Sequence, residues 1–144
     1  MALDGIGASE LDRILETQKA AHLREGTPSA EKRVEWIDKS IDLLVTHGAA
    51  LARAMAEDFG HRSIDQSNLT DIAGTIASLK HSRAHLRKWM RPEKRSVDFP
   101  LNLLGSRARV EYQPKGVIGI ISPWNFPVNL TFAPLANVFA AGNR

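Results

Sequence analysis

The sequence predicts an α/β fold: a helical N-terminal segment, then an extended or β segment, then the first strand and helix of a parallel sheet. Three observations carry that prediction. Apolar residues recur at helical spacing through the first ninety or so residues. "RARVEYQP", from Arg107 to Pro114, alternates, with Ala108, Val110 and Tyr112 on one face and Arg107, Arg109, Glu111 and Gln113 on the other. That is the pattern of a half-exposed strand. "VIGIIS", Val117 to Ser122, does not alternate, which suits a strand buried on both faces of a parallel sheet.

The elements follow in order. Ser9 is placed to cap a first helix with Asp12 as its capping-box partner, and Leu11, Ile14 and Leu15 form its apolar stripe. Thr27 reads as the next N-cap and Pro28 as a first helical residue, where a missing N–H is harmless. Val34, Ile37, Ile41 and Leu44 give the second stripe, with Gly48 as its stop. A short third helix is expected from Leu51 to Phe59, closed by Gly60. A longer one runs from Asn68 to Met90, with Leu69, Ile72, Ile76, Leu79, Leu86 and Trp89 inward, and Pro92 halts it. "SVDFPLNLLGS" is extended and broken by Pro100 and Gly105, and Pro114-Lys115-Gly116 is a turn. Val128 to Ala141 is helical, with Gly142-Asn143 as its ending. The expected segments are 1–92 (helical), 93–115 (extended or β) and 116–144 (one strand and one helix).

Composition narrows the classes. The 144 residues are one domain's worth of chain, 43% hydrophobic and 24% charged, with a net charge of +3. No apolar run approaches the ~20 residues a membrane helix needs. "MALDGIGASELDR" lacks the basic start and apolar centre of a signal peptide, so a cytoplasmic location is expected. There is no cysteine, hence no disulfide, thiolate metal site or cysteine nucleophile within these residues. A buried parallel strand followed by a helix is two thirds of a βαβ unit, yet only Arg144 remains after the Gly142-Asn143 ending. A piece of a larger protein, or a sheet completed by another chain, is therefore expected.

Ligands of open α/β sheets bind beyond the carboxyl ends of the strands, where Ser122-Pro123-Trp124-Asn125 stands. The flanking prolines restrict the backbone there. The Asn125 amide donates two N–H bonds and never ionises, which suits it to stabilise an oxyanion. The plainer reading is that Asn125 caps the following helix or bonds a loop carbonyl.

"PKGVIGIISPWNFPVNL" resembles the first cofactor-domain strand of the NAD(P)-dependent aldehyde dehydrogenases, and its Pro-Trp-Asn-Phe-Pro block is distinctive for that superfamily. "KWMRPEKRSVDFPLNLLGSRARVEYQPKG" is similar to the same region of the class 3-like branch, which includes coniferyl and fatty aldehyde dehydrogenases. "AAGNR" fits the end of the family's first helix, and the helical first ninety or so residues fit more loosely. The resemblance covers most of this chain but roughly the first third of a family member.

The resemblance implies an aldehyde dehydrogenase-like fold, seen in part, whose last segment begins a Rossmann-like domain for NAD or NADP. It implies that Asn125 binds the oxygen of the thiohemiacetal formed from the aldehyde. It places Ile121, Ser122, Pro123 and Trp124 against the cofactor, largely through backbone and apolar contact. The substrate would be an aldehyde, of aromatic coniferyl type, oxidised to the acid. The family's cysteine, glutamate, glycine-rich turn and ribose-binding lysine would lie beyond Arg144, so the 144 residues alone should be inactive and hold no cofactor tightly. "RARVEYQ" looks like part of the family's oligomerisation element, whose exposed edge invites a second copy and hence a homo-oligomer such as a dimer.

Other signals compete. "KHSRAHLRKWMRPEKR" carries seven Lys or Arg, two His and a Trp, which read alone could bind a nucleic-acid backbone. Acids at Asp65, Asp71 and Glu93 flank it and no aromatic interleaving supports stacking, so a solvated helix face is expected, with no nucleic-acid or membrane partner. His81 and His85 stand four apart but lack further ligands, so no metal site is expected. Gly5 and Gly7 follow no strand and make no phosphate loop, and Trp36 borders the second stripe. The alternative to an enzyme segment is a non-catalytic helical assembly or binding module descended from the same fold.

Overall fold

A computed structural model describes residues 7–144. The first six residues, which include Gly5 and open the segment read for a signal peptide, lie outside the described part. Helix α1 spans Ala8–Glu25, α2 Ala30–Phe59 and α3 Ile64–Ser67, which continues through a π-helical turn, Asn68–Ala73, into α4, Gly74–Trp89. Strands β1 (Glu93–Arg95) and β2 (Ala108–Val110) form an antiparallel pair, and α5 spans Pro127–Ala140. The core lies where α2, the π turn, α4 and α5 meet: Ile37, Ile41, Leu44 and Met55 pack with Ile72, Leu79, Leu86, Val128, Ala136 and Ala140.

Several boundaries differ from expectation, each for a physical reason. Gly7, not Ser9, is the N-cap of α1. Its extended backbone presents the carbonyl to Glu10 N and Leu11 N, and Ser9 lies inside the helix. The stripe of Leu11, Ile14 and Leu15 is exposed, and α1 buries only Ala21. Ser29 rather than Thr27 caps α2, its hydroxyl accepting from Lys32 N, so Pro28 precedes the helix.

Gly48 does not stop α2, and no separate helix begins at Leu51. One thirty-residue helix runs to Gly60, which closes it with φ of 73°. Gly48 is buried because α2 and the π turn approach closely there: a Cβ on it would lie 3.1 Å from Ile72 Cγ2. The expected helix from Asn68 starts earlier, at Ile64, behind a Ser63 cap, and the π turn shifts its facing. Ile72, Leu79 and Leu86 face inward as expected, whereas Leu69 is 71% exposed and Trp89 is 41% exposed.

The alternating strand is realised only as Ala108–Val110, paired with Glu93–Arg95 and exposed throughout. Residues 117–122 run extended but make no regular strand, and they are not buried on both faces. Val117, Ile120 and Ser122 are half-buried, while Ile118 is exposed and Ile121 fully so. A parallel strand is covered on both faces only when neighbours lie on both, and among the described residues that shell is incomplete. The pairing has nonetheless begun. Arg144 N donates to Gly116 O at 2.9 Å, and Ile118 N donates to Arg144 O at 2.7 Å. One residue bonded to two residues two apart is the unit of a parallel ladder.

The turn leading there is built from side chains as well. Asn143 Oδ1 accepts from Lys115 N at 2.6 Å and Gly116 N at 3.0 Å. Gly142 adopts φ of 83°, and its missing Cβ leaves room for the Arg33 guanidinium. Buried Arg33 donates to Ala140 O at 2.8 Å and Pro28 O at 3.1 Å, so a cation sits at the carbonyl end of α5. Burial pulls its pKa below the ordinary arginine value.

Candidate functional site

The extended segment ends at Ser122-Pro123-Trp124-Asn125, and α5 begins two residues later. Ile121 is fully exposed and Trp124 is 77% exposed, its ring tilted against Phe59 with centroids 5.7 Å apart. Pro123 is exposed. The Ser122 hydroxyl is paired with Thr131 Oγ1 at 2.7 Å, and Thr131 in turn donates to Pro127 O, so Ser122 has its main chain to offer a ligand.

Asn125 is exposed, and its amide has no hydrogen-bond partner among the described residues. The helix-cap reading of this residue is overturned. The N-cap of α5 is Phe126, and neither it nor Asn125 supplies a side-chain cap bond. The cap comes from across the fold. Asp71 Oδ1 accepts from Val128 N and Asn129 N, both at 3.2 Å.

Asp71, read from the sequence only as an acid flanking the basic run, has a fully buried side chain. The π turn carries it inward, a distortion that recurs at functional sites. Its other oxygen pairs with Arg62 at 2.5 Å, and Arg62 has only 8% of its side chain exposed. The same guanidinium donates to the Asn125 carbonyl at 2.5 Å and to Ser67 Oγ at 3.0 Å. The Asn129 amide donates to Thr70 O and Thr75 Oγ1. Sequence reasoning missed Arg62 altogether. "HRSIDQSNLTD" shows a Ser cap and two acids, and nothing in its spacing distinguishes a buried Asp from an exposed one.

The competing signals resolve locally. Arg83 pairs with Asp38 and Arg87 with Glu31, each at 2.7 Å, so part of the basic run is neutralised by α2. The His81 and His85 rings stack 4.1 Å apart, and among the described residues no group of three His, Asp or Glu could hold a metal ion. Trp36 is half-buried against Phe139. A cavity of about 730 Å³ lies at the other end of α5, lined in part by Arg33, Trp89, Met90, Tyr112 and Ala140. Asn125 takes no part in it.

The model of the aldehyde dehydrogenase family matches residues 2–144, nearly the whole chain. This chain belongs to the aldehyde dehydrogenase family. It is 61% identical over 135 residues to the "Probable coniferyl aldehyde dehydrogenase" of Caulobacter vibrioides, across 93% of this chain. It is 50% identical over 139 residues to the coniferyl aldehyde dehydrogenase of a Pseudomonas species, across 96% of this chain. The substrate-bound AldH of Staphylococcus aureus superposes over 92% of the chain with a TM-score of 0.82 at 27% identity. The chain spans 28% of the length of each of these proteins. In this aldehyde dehydrogenase chain, the α/β architecture is that of a partial family fold: a helical layer, a short antiparallel pair, and a segment without regular strand that leads into a last helix.

Proposed function

We propose that this chain forms the N-terminal part of an NAD(P)-dependent aldehyde dehydrogenase that oxidises an aromatic, coniferyl-type aldehyde to the acid, and that Asn125 is its oxyanion donor. One observation carries the site assignment. Asn125 presents an exposed, unpaired amide at the carboxyl end of the extended segment, on a main chain held by buried charge. The names of the relatives at 61% and 50% identity support the substrate class.

The geometry suits a cofactor at 121–124 in a particular way. Ile121 and Trp124 offer exposed apolar surface, and Ser122 offers main chain, so contact there is apolar and backbone-mediated. The first-turn N–H groups of α5 at Val128 and Asn129 are already taken by Asp71. Those two donors are therefore not free for the dinucleotide's phosphates, which in many such folds sit at this helix start. When bound, NAD(P) supplies a hydride acceptor. The nucleophilic thiolate comes from outside these 144 residues, which hold no cysteine. As a nucleophile adds to the aldehyde its oxygen becomes negative, and an amide N–H aimed at that oxygen stabilises the charge more than it stabilises the carbonyl.

Residues 1–92 serve as the helical segment, 93–115 as an oligomerisation element and 116–144 as the start of the cofactor domain. The fully exposed β1–β2 pair, with Leu103 and Leu104 at 75% and 77% exposure nearby, supports a homodimer contact there. No helix among the described residues is long and apolar enough to cross a membrane.

The test is Asn125→Ala in the full-length protein, assayed with coniferyl aldehyde and titrated with cofactor. Loss of one oxyanion donor lowers turnover about 10²–10³-fold, and cofactor affinity should change little. Asn125→Asp should be at least as poor, because a carboxylate repels the oxyanion. Near-normal turnover in Asn125→Ala would remove the assignment.

A further inference from the structure

We infer that Arg62 is the positioning residue for the Asn125 amide, fixing it through the Asn125 carbonyl and the buried Asp71 carboxylate. The inference rests on the reading of Asn125 as the oxyanion donor. That amide makes no bond of its own among the described residues, so what the protein fixes is the main chain from which it reaches. The carbonyl of Asn125 is held at 2.5 Å by one nitrogen of Arg62. The second terminal nitrogen binds Asp71 Oδ2 at 2.5 Å, and Nε binds Ser67 Oγ at 3.0 Å. Three donors in three fixed directions immobilise the guanidinium plane, and the Phe59 and Phe126 ring centres, at 5.1 and 5.0 Å from Cζ, pack against it.

Asp71 closes the arrangement from the other side of the loop. Its second oxygen holds Val128 N and Asn129 N, so the chain is pinned before and after Phe126-Pro127 by a single ion pair. With the carbonyl of 125 and the N–H groups of 128 and 129 fixed, and a proline between them, the peptide plane after Asn125 has little freedom. That plane holds the Asn125 Cα, the atom from which its side chain departs. Charge-assisted bonds of this kind are about twice as strong as neutral ones. A lysine, a compact charge without the planar fork, cannot satisfy Ser67, Asp71 and Asn125 in the same geometry.

The experiment is a double-mutant cycle in the full-length protein with Arg62→Lys, Asn125→Ala and the pair, reading kcat and KM for the aldehyde, cofactor Kd and Tm. Arg62→Ala is the second variant, assayed with and without added guanidinium ion. Misplacement of a catalytic group by about 1 Å costs on the order of 10²-fold, so Arg62→Lys should lower kcat between about tenfold and that limit with cofactor Kd nearly unchanged. In the Asn125→Ala background the same substitution should change kcat by less than about twofold, because the group it positions is gone. Guanidinium ion should restore part of kcat to Arg62→Ala and none to its Asn125→Ala partner. Equal losses in both backgrounds would show a merely structural Arg62 and overturn the inference, as would normal kcat in Arg62→Lys. If Asn125→Ala itself turns over normally, the oxyanion reading fails first and this inference falls with it.

Discussion

Replacing Gly142 with alanine should be far more damaging than the same change at Gly60, although both glycines have positive φ. At Gly60 φ is 73° and an added Cβ meets nothing within 4 Å. Only backbone strain applies there, about 1–2 kcal/mol for an L-residue in the left-handed region. At Gly142 φ is 83°, and an added Cβ lies 2.7 Å from Arg33 Cζ, 2.8 Å from one terminal nitrogen and 3.0 Å from Nε. Something must move, and Arg33 is not the free end of a flexible side chain. The residue is 3% exposed and is anchored on Ala140 O and Pro28 O. Withdrawing it breaks at least one hydrogen bond to a charged group, about 1.5–3 kcal/mol. With the strain added, Gly142→Ala should destabilise by about 2.5–5 kcal/mol. The gain from a stiffer unfolded chain is the same at both positions and cancels in the comparison. Urea denaturation of the intact protein followed by circular dichroism measures both variants. An Arg33→Ala background checks the cause, because there Gly142→Ala should fall back to the strain alone. Equal destabilisation at Gly60 and Gly142, or an unchanged effect without Arg33, would refute the reasoning.

Two further predictions use other parts of the structure. The hydrogen bond from Arg87 holds the Glu31 carboxyl down to about 2, and bonds from Lys39 and Lys32 hold Glu35 down to about 2, against an ordinary 4.5. A depressed folded pKa gives stability that is present above about 4.5 and lost as pH falls towards 2. Tm should therefore decline across that window, less steeply in Glu31→Gln and less steeply in high salt, since both groups are exposed. A Glu31→Gln profile parallel to the parent's would count against the pairing. Trp124→Ala removes exposed apolar surface beside Ile121 and leaves the Arg62–Asn125 bond in place, so it should raise cofactor Kd and spare kcat at saturating cofactor; isothermal titration with steady-state kinetics separates the two, and a fall in kcat alone would contradict it.

Local chemistry explains what was legible in the sequence. Gly60 could be recognised as a helix end because a left-handed C-cap requires no distant partner. The stripe of Ile37, Ile41 and Leu44, and the helix after Pro127, were equally plain, since apolar periodicity marks a buried face directly. The Pro-Trp-Asn-Phe-Pro block singled out Asn125 through its resemblance to the family, while its residues alone left a helix cap or a loop bond open. Gly48 misled because a glycine that ends a helix and one that admits a neighbouring Ile72 look alike in one dimension. Leu69 misled because the π turn adds a residue to the helical period and swings it outward while turning Asp71 in. The partnership of Arg62, Asp71 and Asn125 spans more than sixty positions, from 62 to 125, and only the packing of the π turn against the start of α5 decides it. A charge in a sequence carries no mark of burial. Whether it is solvated or buried and paired depends on which elements close over it, and that is a property of the folded chain.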